Sequence, residues 1–125
     1  MGQLCRHSLN GNFNEVLEWK TGKFVGCASY IWSAASYLAL VYRMIAGLRV
    51  SADGVLILSP VLPAELGGRF DLTGLKVGKM MINVHVRGNG ETVTACRIDG
   101  QTSETAAIAI DCENHDVEIQ LGAKS

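Results

Sequence analysis

The sequence has little charge, and its charges are not concentrated by sign. Asp, Glu, Lys and Arg make up 18% of the 125 residues, below the quarter that is usual in globular domains. The eleven basic and twelve acidic residues are interspersed, and the absence of a basic patch argues against nucleic acid as a partner. Hydrophobic residues reach 48%, so we expect part of the surface to be covered by another copy or by a further domain.

Metal-ligand spacing is also absent, because the sequence has no C-x-x-C pair and its cysteines and histidines are scattered. The sequence therefore implies no metal site and no other cofactor. Four cysteines could form two disulfides, but a chain of this length can bury a core and shows no signal peptide. We interpret them as free thiols in a reducing cytoplasm. The residues concerned are Cys5, Cys27, Cys96 and Cys112, with His7, His85 and His115.

One long stretch lacks charge altogether, since residues 24–42 contain no Asp, Glu, Lys, Arg or His. These nineteen residues could just span a membrane. Serines and tyrosines interrupt the stretch, however, and Arg43 follows it directly, which makes it weakly apolar for a helix in lipid. We expect a helix buried within protein, with a small membrane-associated protein as the weaker alternative.

Two hydrophobic periods divide the chain. Apolar residues recur at helical spacing over about 29–46, and Gly47 stands where such a helix would end. Both sides of this helix are apolar, so we expect it to be buried on more than one side. Beyond Leu48 the period changes to two, and Gly-rich turns predict at least five antiparallel strands between Val55 and Leu121.

The strand region also carries signals for turns and faces. The Gly88–Gly90 turn should join 80–87 to 91–98 as a hairpin, and Asp99-Gly100 should form a second tight turn. The polar faces of these strands are interpreted as solvated and without chemistry, His85 and Arg87 included. The alternation assigns these residues to the core: Met80, Ile82, Val84, Val86, Val117, Ile119 and Leu121.

The predicted fold class is α+β, with one long buried helix at about 29–46 followed by an antiparallel sheet or half sandwich of five or more strands. Residues 1–50 are assigned to a loop and the helix, and residues 51–125 to a C-terminal antiparallel β-domain. The two parts are expected to form one compact unit.

Six short motifs follow one another along the chain. They are Trp32-Ser33-Ala34, Gly47-Leu48-Arg49, Asp53-Gly54, Pro60-Val61-Leu62-Pro63, Arg87-Gly88-Asn89-Gly90 and Asp99-Gly100. Each motif is weakly specific, but the ordered set resembles the C-terminal part of the six-hairpin glycoside hydrolases, closest to the branch of processing glucosidases and mannosylglycerate hydrolases. The resemblance covers about residues 14–122. It implies an (α/α)6 barrel that carries the active site, whose closing helix is the one expected here, followed by a β-sandwich.

The stretch "NEVLEWKTG", residues 14–22, resembles the loop just upstream of that closing helix, which has the form E-x-(4–5)-T-G. The resemblance implies that Glu15 is the general base and that Trp19 is a platform for stacking a sugar. Glu18 is the alternative base and a further substrate-binding residue, because the spacing to Thr21 is not fixed. In an inverting glycosidase the base carboxylate activates water and lies roughly 6.5–9.5 Å from the acid.

The resemblance places the general acid several helices earlier than this sequence. We therefore expect a C-terminal fragment of an inverting glycoside hydrolase that acts on an α-linked oligosaccharide, and we expect it to be inactive alone. The alternative is a non-catalytic oligomerising or carbohydrate-binding module derived from such an enzyme. The expected partners are the oligosaccharide and either a preceding barrel or further copies, with Trp32, Leu40 and Met44 buried between copies. Neither nucleic acid nor a membrane is expected.

Overall fold

A computed structural model describes residues 13–27 and 29–122. The structure is mostly β, with 48% of the described residues in strands and 17% in helices. The chain divides into two compact units, Met1–Val41 and Tyr42–Ser125. No helix in the described part is long and apolar enough to cross a membrane.

The first unit contains a short hairpin and a helix. Strands β1 (Val16–Leu17) and β2 (Phe24–Val25) pair antiparallel, and helix α1 spans Ile31–Leu40. The hydroxyl of Ser33 donates to the backbone oxygen of Asn14 at 2.8 Å. This hydrogen bond ties the start of the hairpin to the first turn of the helix.

The prediction of one long buried helix is wrong. Ser29 has φ 60, so the helix cannot begin there. Helix α1 has ten residues, and a π-helical turn at Val41–Ile45 extends the helical stretch to 15 residues. No residue of α1 is buried, and Ile31, Trp32 and Leu38 are 76%, 68% and 50% exposed. The hairpin covers the helix only in part, through contacts such as that of Phe13 with Tyr37. The apolar pattern shows which surfaces of a helix can be buried, but not how much of them is.

The second unit is built from two sheets. Their orders are β3-β4-β9 and β5-β6-β10-β7-β8. A 3₁₀ turn at Ala64–Leu66 links β4 to β5, and Gly47 has φ 62, the left-handed conformation predicted for the residue that ends the helix. The strands are β3 (Leu48–Val50), β4 (Val55–Leu58), β5 (Arg69–Val77), β6 (Met80–Arg87), β7 (Thr92–Ile98), β8 (Gln101–Ser103), β9 (Ala107–Ala109) and β10 (Asn114–Gly122).

The predicted purely antiparallel sheet is wrong, because β10 pairs in parallel with β6. Two short strands also precede the helix, where a loop was predicted. Strands β6 and β7 are not hairpin partners, because β10 lies between them. A Cβ at Gly88 would lie 2.3 Å from the backbone oxygen of Leu121, which shows how closely β10 passes this connection. Turn residues predict that the chain reverses, but they carry no information about a distant strand inserted between the two arms.

The second predicted turn is confirmed. Asp99 and Gly100 join the paired strands β7 and β8, and their φ angles of 53 and 79 are both positive. A two-residue hairpin turn of type I′ requires positive φ at both positions.

The predicted core face is confirmed as well. All seven residues assigned to it are buried, and the four from β6 have no exposed surface. Leu56, Leu58 and Ile108 of the three-stranded sheet are also buried. Full burial of such a side chain stabilises a fold by roughly 1.5–3 kcal/mol. Because one face of each sheet is buried, the opposite face of the five-stranded sheet is left for polar residues.

The cysteines are consistent with the predicted thiol state where the structure describes them. Cys27, Cys96 and Cys112 are free. Cys5 lies outside the described residues, and so does His7.

Candidate functional site

The hairpin of the first unit carries all three residues that the sequence proposed for catalysis and substrate binding. Its turn is closed by two backbone hydrogen bonds: the N–H of Glu18 donates to the oxygen of Lys23 at 2.9 Å, and the N–H of Gly22 donates to the oxygen of Glu18 at 2.8 Å. Glu15 and Glu18 therefore flank β1, one at each end, and Trp19 lies in the turn.

Glu15 is exposed, and its carboxylate is held by the opposite arm of the hairpin. Its backbone N–H donates to the oxygen of Cys27 at 3.0 Å, and its Oε2 accepts from the N–H of Cys27 at 3.2 Å. A Cβ at Gly26 would lie 2.7 Å from the same Oε2, so the Glu15 side chain lies against Gly26, and a larger residue there would displace the carboxylate. The result is an oriented carboxylate that remains open to solvent.

Glu18 is engaged differently. The hydroxyl of Thr21 donates to its Oε2 and accepts from the N–H of Lys23 at 3.1 Å. The Glu18 carboxylate therefore stabilises the turn. Trp19 is 85% exposed, and the Nζ of Lys20 lies 5.4 Å from the centroid of its ring. An exposed indole of this kind offers a flat apolar face to a ligand.

A second polar region, which the sequence analysis assigned to a solvated face, lies on the outer side of the five-stranded sheet. At its centre Asp71 accepts from Nε of Arg69 at 2.7 Å and from Arg87 at 2.8 Å, and it lies 2.7 Å from Nδ1 of His85. The hydrogen bond with His85, followed by those from the two arginines, holds the pKa of Asp71 far below its usual range. Asp71 thus fixes the positions of three side chains from two strands.

Asn83 extends this network along the sheet. Its Oδ1 accepts from the N–H of Gly74 at 2.9 Å, which lies at the irregularity of β5 between Leu72 and Leu75. Its Nδ2 donates to Asp116 at 3.2 Å. A bulge bends a strand and increases its twist, and here a side chain from β6 satisfies the backbone N–H that the bulge leaves unpaired.

Beside this network the sheet surface encloses a groove of about 670 Å³. Strands β6, β7 and β10 supply its lining, which consists of His85, Arg87, Ala95, Cys96, Arg97, Glu118, Ile119 and Gln120. In the strand register Glu118 stands between His85 on one side and Arg97 on the other. The alternation of polar residues in these strands was visible in the sequence, but their meeting depends on the insertion of β10 between β6 and β7. Burial raises the pKa of the Cys96 thiol, which makes it a poor nucleophile.

His115 forms a third polar cluster at the start of β10. Its Nδ1 lies 2.7 Å from Asp99 and its Nε2 lies 3.1 Å from Asp111. The hydrogen bond with Asp99 is the main cause that raises the pKa of His115. The N–H of Asp116 also bonds Asp99 at 2.8 Å and lowers the pKa of that carboxyl. The N–H of Glu113, at 2.8 Å, is the main cause that lowers the pKa of Asp111. The cluster fastens the β7–β8 turn to β10.

Among residues 13–27 and 29–122, no group of three or more His, Cys, Asp or Glu side chains is placed to hold a metal ion. Neither protein-family models nor curated proteins give a match to this chain.

Proposed function

We propose that these residues form the C-terminal part of an inverting glycoside hydrolase of the six-hairpin class, which acts on an α-linked oligosaccharide. The observation that carries the proposal is the state of Glu15. Glu15 lies within the loop motif that suggested the class. The residue is exposed, and its carboxylate is oriented by the N–H of Cys27. A general base must reach a water molecule, and a carboxylate buried in an ion pair would not.

The proposed chemistry assigns one role to each residue of the hairpin. Glu15 takes a proton from a water molecule as that water attacks the anomeric carbon. The leaving oxygen is protonated on the opposite face of the sugar by a carboxylic acid from the preceding barrel, roughly 6.5–9.5 Å away. Trp19 stacks against a sugar ring, and Glu18 keeps the turn in shape and hydrogen-bonds a sugar hydroxyl.

The exposed apolar side chains of α1 support the proposal that a partner covers this helix. Ile31 and Trp32 are more than half exposed, and Leu38 is half exposed. An exposed cluster of large apolar residues marks an interaction surface. In the proposed enzyme the preceding barrel helices cover this face. In the alternative proposal, a non-catalytic module, a second copy of the chain covers this face of α1 instead. The three cysteines that the structure describes are free thiols, which supports a reducing cytoplasm as the location.

The test compares two forms of the protein. The purified chain of 125 residues should not hydrolyse α-glucosides or α-mannosides, because it holds one of the two required carboxylates. An enzyme that includes the preceding helices should hydrolyse one of them, and Glu15→Gln should lower its turnover by roughly 10²–10⁴-fold. Glu65→Gln, the same change at an exposed residue of the second unit, should leave turnover unchanged.

Two results would contradict the proposal. Hydrolysis by the isolated chain would show that the acid has been misplaced. Full turnover in Glu15→Gln would remove the base from that position, and a loss in Glu18→Gln alone would move it to Glu18.

A further inference from the structure

The groove on the outer face of the five-stranded sheet contains an unusual pair of charged side chains. Arg97 and Glu118 are opposite one another in the register of β7 and β10. Both side chains are exposed, and within the described residues neither side chain makes a hydrogen bond or an ion pair with protein. An arginine beside a glutamate would ordinarily form a salt bridge across the strands. Here the guanidinium and the carboxylate are both left available to a ligand.

The side chains around this pair are held in place. Arg87 and His85 are fixed by Asp71, at 2.8 and 2.7 Å. The side-chain nitrogen of Gln120 donates to the backbone oxygen of Leu121 at 3.2 Å, which leaves the side-chain oxygen of Gln120 as an acceptor. A pocket whose polar groups are already oriented loses less entropy when a ligand binds.

The chemistry of the lining selects the class of ligand. Asp71 compensates Arg87, so the groove presents one free positive group at Arg97 and one free negative group at Glu118. The Glu118 carboxylate would repel a small anion, and the Arg97 guanidinium would repel a cation. The lining has no aromatic residue other than His85, and Cys96 and Ile119 are buried, so an apolar ligand has little surface to cover.

A neutral polyhydroxy compound fits this arrangement. A carboxylate accepts hydrogen bonds from hydroxyls, and a guanidinium donates hydrogen bonds to hydroxyl oxygens. Neighbouring hydroxyls of a sugar supply both partners at once. The volume of about 670 Å³ lies within the usual range of ligand pockets, roughly 300–1,000 Å³.

We propose that this groove is a binding site for a neutral oligosaccharide, with Arg97 and Glu118 as its main contacts. The choice of an oligosaccharide among neutral polar ligands rests on the proposed function. All residues of the groove belong to the second unit, whereas Glu15 belongs to the first.

The experiment is a titration of the purified chain, labelled with ¹⁵N, with maltotetraose and separately with α-1,2-mannobiose. At least one sugar should shift the amide signals of β6, β7 and β10. Arg97→Ala and Glu118→Gln should each raise the dissociation constant about tenfold or more, as expected when a hydrogen bond to a charged group is lost. Arg49→Ala, at an exposed arginine of the other sheet, should leave it unchanged, and thermal unfolding checks that each variant is folded.

Several outcomes would overturn the proposal. They are no shift with either sugar, shifts that persist in both groove variants, and shifts produced only by sulfate or by an acidic peptide. The titration also separates this proposal from the assignment of Glu15, because Glu15→Gln should bind sugar in the groove as the unaltered chain does. A variant that loses hydrolysis should still bind sugar in the groove. Failure of the chain to bind sugar in the groove would not change the result expected in the hydrolysis test.

Discussion

At the scale of the residue, the His115 side chain is held on both sides, because a carboxylate faces each of its ring nitrogens. Both nitrogens can donate only when the ring is protonated, so Asp99 and then Asp111 raise its pKa. A raised pKa adds stability below the unfolded value of 6.5, and that stability is lost as the pH rises through the folded value. The lowered pKa values of Asp99 and Asp111 add stability above 3.8, which is lost as the pH falls through their folded values.

The second unit should therefore be more stable in mildly acidic solution than in alkaline solution. We expect the thermal unfolding midpoint of the purified chain to be higher near about pH 5.5 than near about pH 8.5. His115→Gln should remove most of the difference, since Gln has no proton to gain, and Asp99→Asn should reduce it. The same pH dependence in the unaltered chain and in His115→Gln would show that this cluster is not its source.

At the scale of elements, the faces of the strands could be predicted and their partners could not. Alternation placed Ile82 and Val84 of β6 and Ile119 of β10 in the core, because the side-chain period of a strand is local. The neighbours of β6 depend on a strand about thirty residues later, to which no local signal points. The prediction of a long buried helix was wrong for a related reason, since apolar spacing shows which surface can be covered but not what covers it.

The insertion of β10 can be tested at Gly88. Gly88 and Gly67 both have positive φ, 84 and 74, but a Cβ at Gly88 meets the backbone oxygen of Leu121 whereas one at Gly67 meets nothing within 4 Å. Alanine at either position would have to adopt the left-handed backbone conformation, which costs about 1–2 kcal/mol. Gly88→Ala should lower the free energy of unfolding by about a further 1–3 kcal/mol. Urea unfolding measures both variants, and equal losses would contradict the close passage of β10.

At the scale of the whole molecule, the composition predicts a surface that a partner covers, and this stays a prediction; Ile31, Trp32 and Leu38 of α1 are exposed apolar residues that such a partner could cover. The same scale explains why the groove was not predicted. Arg97, Glu118 and His85 belong to three strands, and only the tertiary arrangement joins them. The Glu15 assignment came from a resemblance, and its hydrogen bond to Cys27 across the hairpin was not visible in the sequence.

The exposed helix predicts association of the isolated chain. We expect self-association at roughly tens of micromolar, a range typical of weak interfaces, because the apolar side chains of Ile31, Trp32 and Leu38 are at least half exposed. Replacing Trp32 and Leu38 together by Glu should give a monomer in sedimentation velocity. Met81→Glu, at a residue of β6 that is 45% exposed, should leave association unchanged. A stable monomer of the unaltered chain would argue against this role of the helix.

The configuration of the first product tests the central claim most directly. An enzyme that contains this chain and the preceding helices should be given an α-linked disaccharide, and the anomeric signals should be followed by ¹H NMR before mutarotation. Inversion with Glu15 as the base predicts that the β-anomer forms first and that Glu15→Gln abolishes its formation while Glu65→Gln does not. An α-anomer as first product, or an undiminished rate in Glu15→Gln, would contradict the account.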